Sequence, residues 1–197
     1  MVTAMAKRAT DRLNRTRAIV AATVRLAEQG GLEAVRLRDV ARDAGVSMGA
    51  LYRCFDSKED ILLYALSEDF TELERACAAN PIEGSTAVER VEAFFRLATK
   101  GLVARPSYAR ATITATASGQ SKAVRQVATL NARMERLIRT AIAGEPTNVV
   151  TDIDALARVL HRVWFATLVG WAAGVHDSKA LVSEMRTTAA LLMRGDE

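Results

Sequence analysis

Apolar residues recur along this chain at intervals of three and four and nowhere alternate with polar ones for long. That spacing predicts amphipathic helices rather than strands. Residues 12–29, RLNRTRAIVAATVRLAEQ, put Ile19, Thr23, Leu26 and Ala27 on one side of a helix that Gly30-Gly31 stop. A second helix is predicted over 37–44, ended by Gly45, and a third of barely two turns opens at Ser47. Ser57 caps a longer helix, with Asp60 as the acid three residues on, and Asn80-Pro81 break it after about Ala79. Thr86 and Glu89 form a capping box before a helix over 87–104 that buries Val91, Phe94, Phe95, Ala98 and Leu102. Pro106 starts a shorter helix to about Ser118, with Gly119 past its end. SKAVRQVATLNARMERLIRTAIA is one long amphipathic helix, and GEPTNVV is a loop. Thr151 or Asp152 caps a helix over 153–174 that Gly174 ends, and the last helix runs from Ser178 to Arg194. The expectation is an all-α chain of about nine helices, the short ones near the N-terminus.

Charge adds an asymmetry. The 197 residues carry 27 Lys and Arg against 23 Asp and Glu, a net charge of only +4. Residues 1–58 hold eleven of the cations and six of the anions, so the excess is concentrated there. A basic end on a near-neutral body points to a polyanionic partner. Cys54 and Cys77 lack metal-ligand spacing and suit a reducing compartment. The opening MVTAMAKRAT lacks the apolar run of a signal peptide, and Val163 to Val175, the longest apolar stretch, is shorter than the roughly 20 residues that span a bilayer. A cytoplasmic protein without membrane contact is expected. No Ser-His-Asp order, glycine-rich phosphate loop or metal cluster is visible, and His161 and His176 read as core or surface histidines. The chain is therefore expected not to be an enzyme and to need no cofactor or metal.

The densest local signal is DVARDAGVSMGALYRCF, residues 39–55. Counting Leu37 as the first position of a helix-turn-helix puts Val40 fourth, Ala41 fifth, Ala44 eighth, Gly45 ninth, Val46 tenth and Leu51 fifteenth. Two short helices that cross steeply leave little room at the contact, so Ala41 must be small. The turn needs positive φ, which glycine adopts cheaply. Val40, Val46 and Leu51 fill the inner faces. Ser47, Met48, Gly49, Ala50, Tyr52 and Arg53 are left outward on a helix slim enough for a major groove about 12 Å wide. Ser47, Met48, Gly49 and Ala50 are expected to face bases. Tyr52 and Arg53 are expected to meet phosphate, with Arg53 also able to pair with a guanine edge. Lys58 adds charge to the exposed amides of the next helix start, an anion site. Lys7, Arg8 and Arg12 are expected to form an arm along the DNA backbone.

Here the chain resembles the TetR-type bacterial regulators. GLEAVRLRDVARDAGVSMGALYRCFDSKEDIL follows their pattern, with Gly45, Val46, Ser47, Gly49, Leu51, Tyr52, Phe55, Lys58 and Glu59 in place. Leu32 stands where an aromatic is usual. Arg36 replaces the common Thr or Ser, so the cap of the second helix is lost while the guanidinium still reaches phosphate. Ala50 replaces a frequent Thr, and Cys54 a frequent Tyr or His. The resemblance implies a DNA-binding domain over 1–56 and a helical ligand-binding and dimerisation domain over 57–197. It also implies a homodimer reading a palindromic double-stranded DNA operator, with half-sites about 34 Å apart or a multiple of that, and repression relieved by a small-molecule inducer.

In the C-terminal body, Val163, Trp164, Phe165, Leu168, Val169 and Trp171 make one helix apolar nearly all round, with Ala166, Gly170 and Ala173 permitting close approach. Together with Leu181, Met185, Ala189 and Leu192 they suit a four-helix interface between subunits. Phe94, Phe95, Tyr108, Ile113, Met134, Leu137, Trp164 and Leu168 are the candidates to line an apolar pocket. Lys122, Arg125, Arg133 and Arg136 share a helix face, with Arg105 and Arg110 before it, and are expected to hold the phosphates of an acyl-CoA inducer. GGLEAVRLRDVA, GALYRCF, GEPT and ARVLHRVWFATLVGWAAG resemble stretches of actinobacterial repressors of cholesterol catabolism, which implies a steroid-derived CoA thioester as the ligand class. Two other readings stand beside this one: a redox-sensing regulator on the same scaffold acting through Cys54, and a non-specific nucleic-acid-binding module.

Overall fold

The computed structural model describes residues 2–117, 121–144 and 152–193. Among these the chain forms nine α-helices and no strand, as the periodicity predicts. They are α1 (Val2–Ala34), α2 (Leu37–Asp43), α3 (Met48–Tyr52), α4 (Lys58–Ala79), α5 (Ala87–Ala104), α6 (Pro106–Thr116), α7 (Ser121–Ala143), α8 (Ile153–Ala172) and α9 (Ala180–Leu192). Gly119, Thr151 and all of the GEPTNVV loop except Gly144 lie outside the described residues.

Local chemistry accounts for most of the ends. Ser57 Oγ accepts from the Asp60 amide, and the Asp60 carboxylate accepts from the Asp56 amide, so the start of α4 is closed from both sides. The Thr86–Glu89 capping box forms in both directions. Asp152 caps α8 by accepting from the Ala155 amide at 2.8 Å. Past α8, Gly174 at φ +80° lets the Val175 amide reach the Gly170 carbonyl and the Gly174 amide reach Trp171, a Schellman closure. α1 begins much earlier than residue 12, because no glycine or proline precedes residue 30 to stop it. It breaks at the foreseen place, where Gly31 has φ 66°.

The helices sort into two compact units. The first comprises residues 1–67 and 106–125, thus α1 to α3, the start of α4, α6 and the start of α7. There α1 packs on α6 and on α2, around Ile19, Ala22, Thr23, Ala27, Val40, Leu51, Ile61 and Tyr108. Phe55 meets Tyr64 edge to face at 5.5 Å. The second unit comprises residues 68–105 and 126–197. In it α9 packs against both α5 and α8. Its core holds Val91, Phe94, Phe95, Met134, Ile138, Leu160, Trp164, Leu168, Trp171, Leu181 and Met185. Phe95 lies 5.2 Å from Phe94 and 5.6 Å from Trp164. Trp164 Nε1 donates to Thr99 Oγ1 at 3.4 Å, which gives the buried indole the partner it requires.

Candidate nucleic-acid interface

The turn between α2 and α3 is a Schellman closure built on one glycine. The Val46 amide donates to the Ala41 carbonyl at 3.0 Å, and the Gly45 amide to Arg42 at 3.1 Å. That pairing needs Gly45 in the left-handed region, and it has φ 65°. Val40, Ala41 and Leu51 are buried on the inner faces. Ser47 then caps α3, its hydroxyl accepting from the Ala50 amide at 3.2 Å. Arg36 precedes α2 in extended conformation without a side-chain cap bond, which agrees with the loss of the usual Thr or Ser there.

The outer side of α3 carries most of the expected residues. Ser47, Gly49 and Arg53 are exposed, Met48 is half-buried, and Tyr52 is 53% exposed although it is a large aromatic. Arg36 is exposed as well. Ala50 is the exception. It was expected to point outward, but it is only 6% exposed, turned inward beside Leu51. The methyl-sized side chain fills the unit rather than facing a groove. Cys54, at the exit of α3, is half-buried.

Lys58 differs from expectation in its surroundings. Its Nζ donates to the Leu32 carbonyl at 3.0 Å, at the C-terminal end of α1, where orphan carbonyls favour a cation. Ser57 Oγ takes the Asp60 amide and the Asp60 carboxylate takes the Asp56 amide, so these two N–H groups around the start of α4 already have partners.

Of the ligand-pocket candidates, Phe94, Phe95, Met134, Trp164 and Leu168 are buried in the second unit. Tyr108 is buried in the first unit, where Ile113 is half-buried. Leu137 is half-buried, and its neighbour Ile138 is the residue that enters the core.

The basic stripe on α7 is largely paired. The Arg133 guanidinium grips both oxygens of Glu74, at 3.0 and 2.7 Å, and also donates to Thr71 at 2.9 Å. It lies 5.6 Å from the Phe70 ring centroid, and its side chain is 14% exposed. Arg136 stands 3.6 Å from the same Glu74, Arg105 pairs with Asp69, and Arg139 pairs with Asp154. The hydrogen bonds from Arg133 hold Glu74 below its usual carboxylate range against the opposing effect of burial, with the Arg133 and Arg136 charges adding to the downward shift. Arg133 is thus committed to α4 rather than open to an inducer phosphate. The side chain of Lys122 lies outside the description.

His161 on α8 is buried, with Nδ1 3.6 Å from Glu135 of α7. Burial pushes its pKa down, Glu135 partly opposes this, and Arg162 adds to it. On the other side of α8, Phe165 and Val169 are exposed one turn apart, with Arg162 and Ala166 alongside. On α9, Leu191 and Leu192 are exposed too. Gly170 was expected to admit a neighbouring helix, but the His176 ring covers it, and a Cβ there would lie 2.3 Å from the ring. No helix among the described residues is long and apolar enough to cross a membrane.

Sequence reasoning missed Lys58–Leu32 and Arg133–Glu74, contacts 26 and 59 positions apart. The one available signal for the second was the acid run on α4 facing an equally regular basic run on α7.

The family profile described as bacterial regulatory proteins, tetR family, matches residues 19–65, and that of the tetracyclin repressor-like C-terminal domain matches residues 84–192. The chain is 32% identical over 180 residues to the HTH-type transcriptional repressor KstR of Rhodococcus jostii (strain RHA1), covering 91% of this chain and 82% of that protein. A TetR transcriptional regulator from Rhodococcus sp. RHA1 superposes with a TM-score of 0.80 at 21% identity, covering 95% of this chain and 100% of that one. FadR of Thermus thermophilus, a TetR-family transcriptional repressor solved in complex with lauroyl-CoA, superposes with a TM-score of 0.68 at 19% identity, covering 91% and 94%. At these identities the two superpositions establish a shared fold.

Proposed function

This chain belongs to the TetR family of bacterial regulatory proteins, and we propose that it is a cytoplasmic, homodimeric repressor released from a palindromic operator by a small apolar or acyl-CoA-type ligand. The observation that carries the DNA reading is the open outer side of α3, where Tyr52 is 53% exposed beside exposed Ser47, Gly49 and Arg53. Tyr52 and Arg53 there offer a phenolic hydroxyl and a guanidinium beside a capped, glycine-set turn, the kinds of donor that meet phosphate when a helix docks in a groove. Ser47, Met48 and Gly49 are assigned to base edges. Tyr52, Arg53 and Arg36 are assigned to phosphates, and Lys58 joins them with the N–H donors that Leu32 leaves spare. Residues 1–56 form the reading domain in this proposal, and 57–197 the ligand and dimer domain.

For the dimer, the support is the exposed apolar strip of Phe165 and Val169 on α8 with Leu191 and Leu192 on α9. For the ligand, it is the aromatic and methionine core around Phe94, Phe95, Met134, Trp164 and Leu168 and the acyl-CoA found in a protein of the same fold. The steroid-like stretches extend the candidates to steroid-derived thioesters.

The test is a mobility shift with duplexes selected from a random pool, against scrambled controls. Tyr52→Ala is expected to weaken binding to every sequence alike, whereas Met48 substitutions are expected to change which sequence is preferred. Tyr52→Ala with unaltered affinity overturns the docking of α3. Titration with fatty-acyl-CoA and steroid-acyl-CoA tests the ligand, and the absence of heat from both overturns it.

A further inference from the structure

We propose that Arg133 and Arg136 of α7 form a phosphate-exchange site, in which the α4 carboxylate they hold, Glu74, is displaced by the phosphates of a ligand. This deepens the ligand side of the proposed function, and its bearing on DNA rests on that reading.

α4 is fastened differently along its length. Its buried side chains, Asp60, Ile61, Leu62, Leu63 and Ala65, all precede residue 66 and lie in the first unit. From 66 to 79 every side chain is half-buried or exposed. Residues 68–79 belong to the second unit and are tied there by charge. Asp69 pairs with Arg105 at the end of α5 at 3.0 Å. Glu74 pairs with Arg133 at 2.7 Å and with Arg136 at 3.6 Å. Arg133 also donates to Thr71 and lies over the Phe70 ring. Apolar burial is indifferent to anions, whereas an ion pair open to solvent is screened by salt and can be exchanged for another anion.

One carboxylate here serves two guanidinium groups. Glu74 gives Arg133 both oxygens and reaches Arg136 only at 3.6 Å, and the Arg136 side chain is 63% exposed. A guanidinium fork takes phosphate oxygens with the same two-bond geometry it offers a carboxylate. A phosphate ester carries a charge of about −1.5 to −2 at neutral pH, against the single charge of Glu74. It can therefore satisfy both arginines where Glu74 fully satisfies one. Exposed Arg136 receives the phosphate first, and Arg133 then turns to it from Glu74. Released from Arg133, the second half of α4 loses a tie to α7 while its first half stays packed through Ile61, Leu62 and Leu63. α4 follows directly on α3, so a loosened α4 is the means by which such a ligand alters DNA binding.

The experiment titrates the full-length protein with inorganic pyrophosphate and with free coenzyme A, each against sodium chloride at equal ionic strength. Hydrogen exchange of the α4 amides is read alongside. Glu74→Gln removes the competing charge and keeps helix propensity, and it is expected to bind the probes about tenfold more tightly. Arg133→Gln and Arg136→Gln are expected to bind them about tenfold more weakly. Arg136 is exposed, so its variant tests the site even where Arg133→Gln folds poorly. In wild type, saturation with either probe is expected to speed exchange several-fold over 68–79 and to leave 61–65 protected, and chloride is expected to do neither. Coenzyme A binding more tightly than pyrophosphate names a thioester carrier as the source of the phosphates, and the reverse names a free polyphosphate; both bear the site out. Glu74→Gln binding no better than wild type overturns it, as does an equal effect of chloride or no binding of either probe. Those outcomes leave operator selection, and with it the repressor reading, untouched. A wild type that selects no operator defeats that reading, while the exchange data still judge the site.

Discussion

Lys58 Nζ donates a 3.0 Å hydrogen bond to the carbonyl oxygen of Leu32, joining the first turn of α4 to the last turn of α1. The bond spans 26 positions of sequence and sits immediately after the helix-turn-helix. Lys58→Met removes a charge-assisted bond, expected to cost about 1.5 to 3 kcal/mol. Thermal melting should detect this in the absence of DNA. Lys58→Arg, which keeps a donor, should recover part of the loss. If Lys58 served phosphate alone, the free protein would melt unchanged and only the salt slope of binding would move.

Gly45 isolates backbone strain from packing. A Cβ there would meet no atom within 4 Å, yet φ is 65°. Gly45→Ala should therefore destabilise by about 1 to 2 kcal/mol through the left-handed backbone alone. Gly45→Val should cost more, since β-branching disfavours that region further. Denaturant midpoints with an unchanged m-value would bear this out, whereas equal stability of all three proteins would contradict it.

The Arg133–Glu74 pair should matter more than a surface ion pair and less than one fully enclosed. Arg133→Gln is expected to destabilise by about 2 kcal/mol, between the surface and buried cases. Glu74 has its pKa lowered from 4.5, so the pair's stabilisation is present above that value and is lost as pH falls through the folded-state value. Acid unfolding of Arg133→Gln should therefore be less steep than wild type below pH 4.5.

His161 should act at higher pH. Its pKa is lowered from 6.5, chiefly by burial. Above 6.5 both folded and unfolded chains hold it neutral. As pH falls below that, the unfolded chain takes the proton first, and stability declines until the folded-state pKa is passed. His161→Gln should flatten this part of the melting-temperature profile as pH falls below 6.5. A wild-type profile already flat there would contradict the assignment.

What could be read from the sequence was local. Gly45, Ser47, the Thr86–Glu89 box and the Asp152 cap each follow from residues within a few positions of one another, and each forms. What could not be read required helix phase or a distant partner. Leu137 and Ile138 differ by one position, about 100° of helix rotation, and the apolar pattern of α7 admits either, yet Ile138 takes the core. Ala50 reads equally well as a slim groove-facing residue or as filler, and burial decides for the second. The α7 arginines look free as a stripe because Glu74 and Asp69 stand on a helix far away in sequence. Nothing near Arg133 announces that its charge is already spoken for.

The aromatic residues are divided in a useful way. Both tryptophans, Trp164 and Trp171, lie on α8 in the second unit, while Tyr52, Tyr64 and Tyr108 all belong to the first. Indole emission excited at the red edge therefore watches one half of the molecule and is blind to the other. Ligand entry or loosening around Trp164 can be followed optically without labels, and the half that carries α3 contributes no background to that signal.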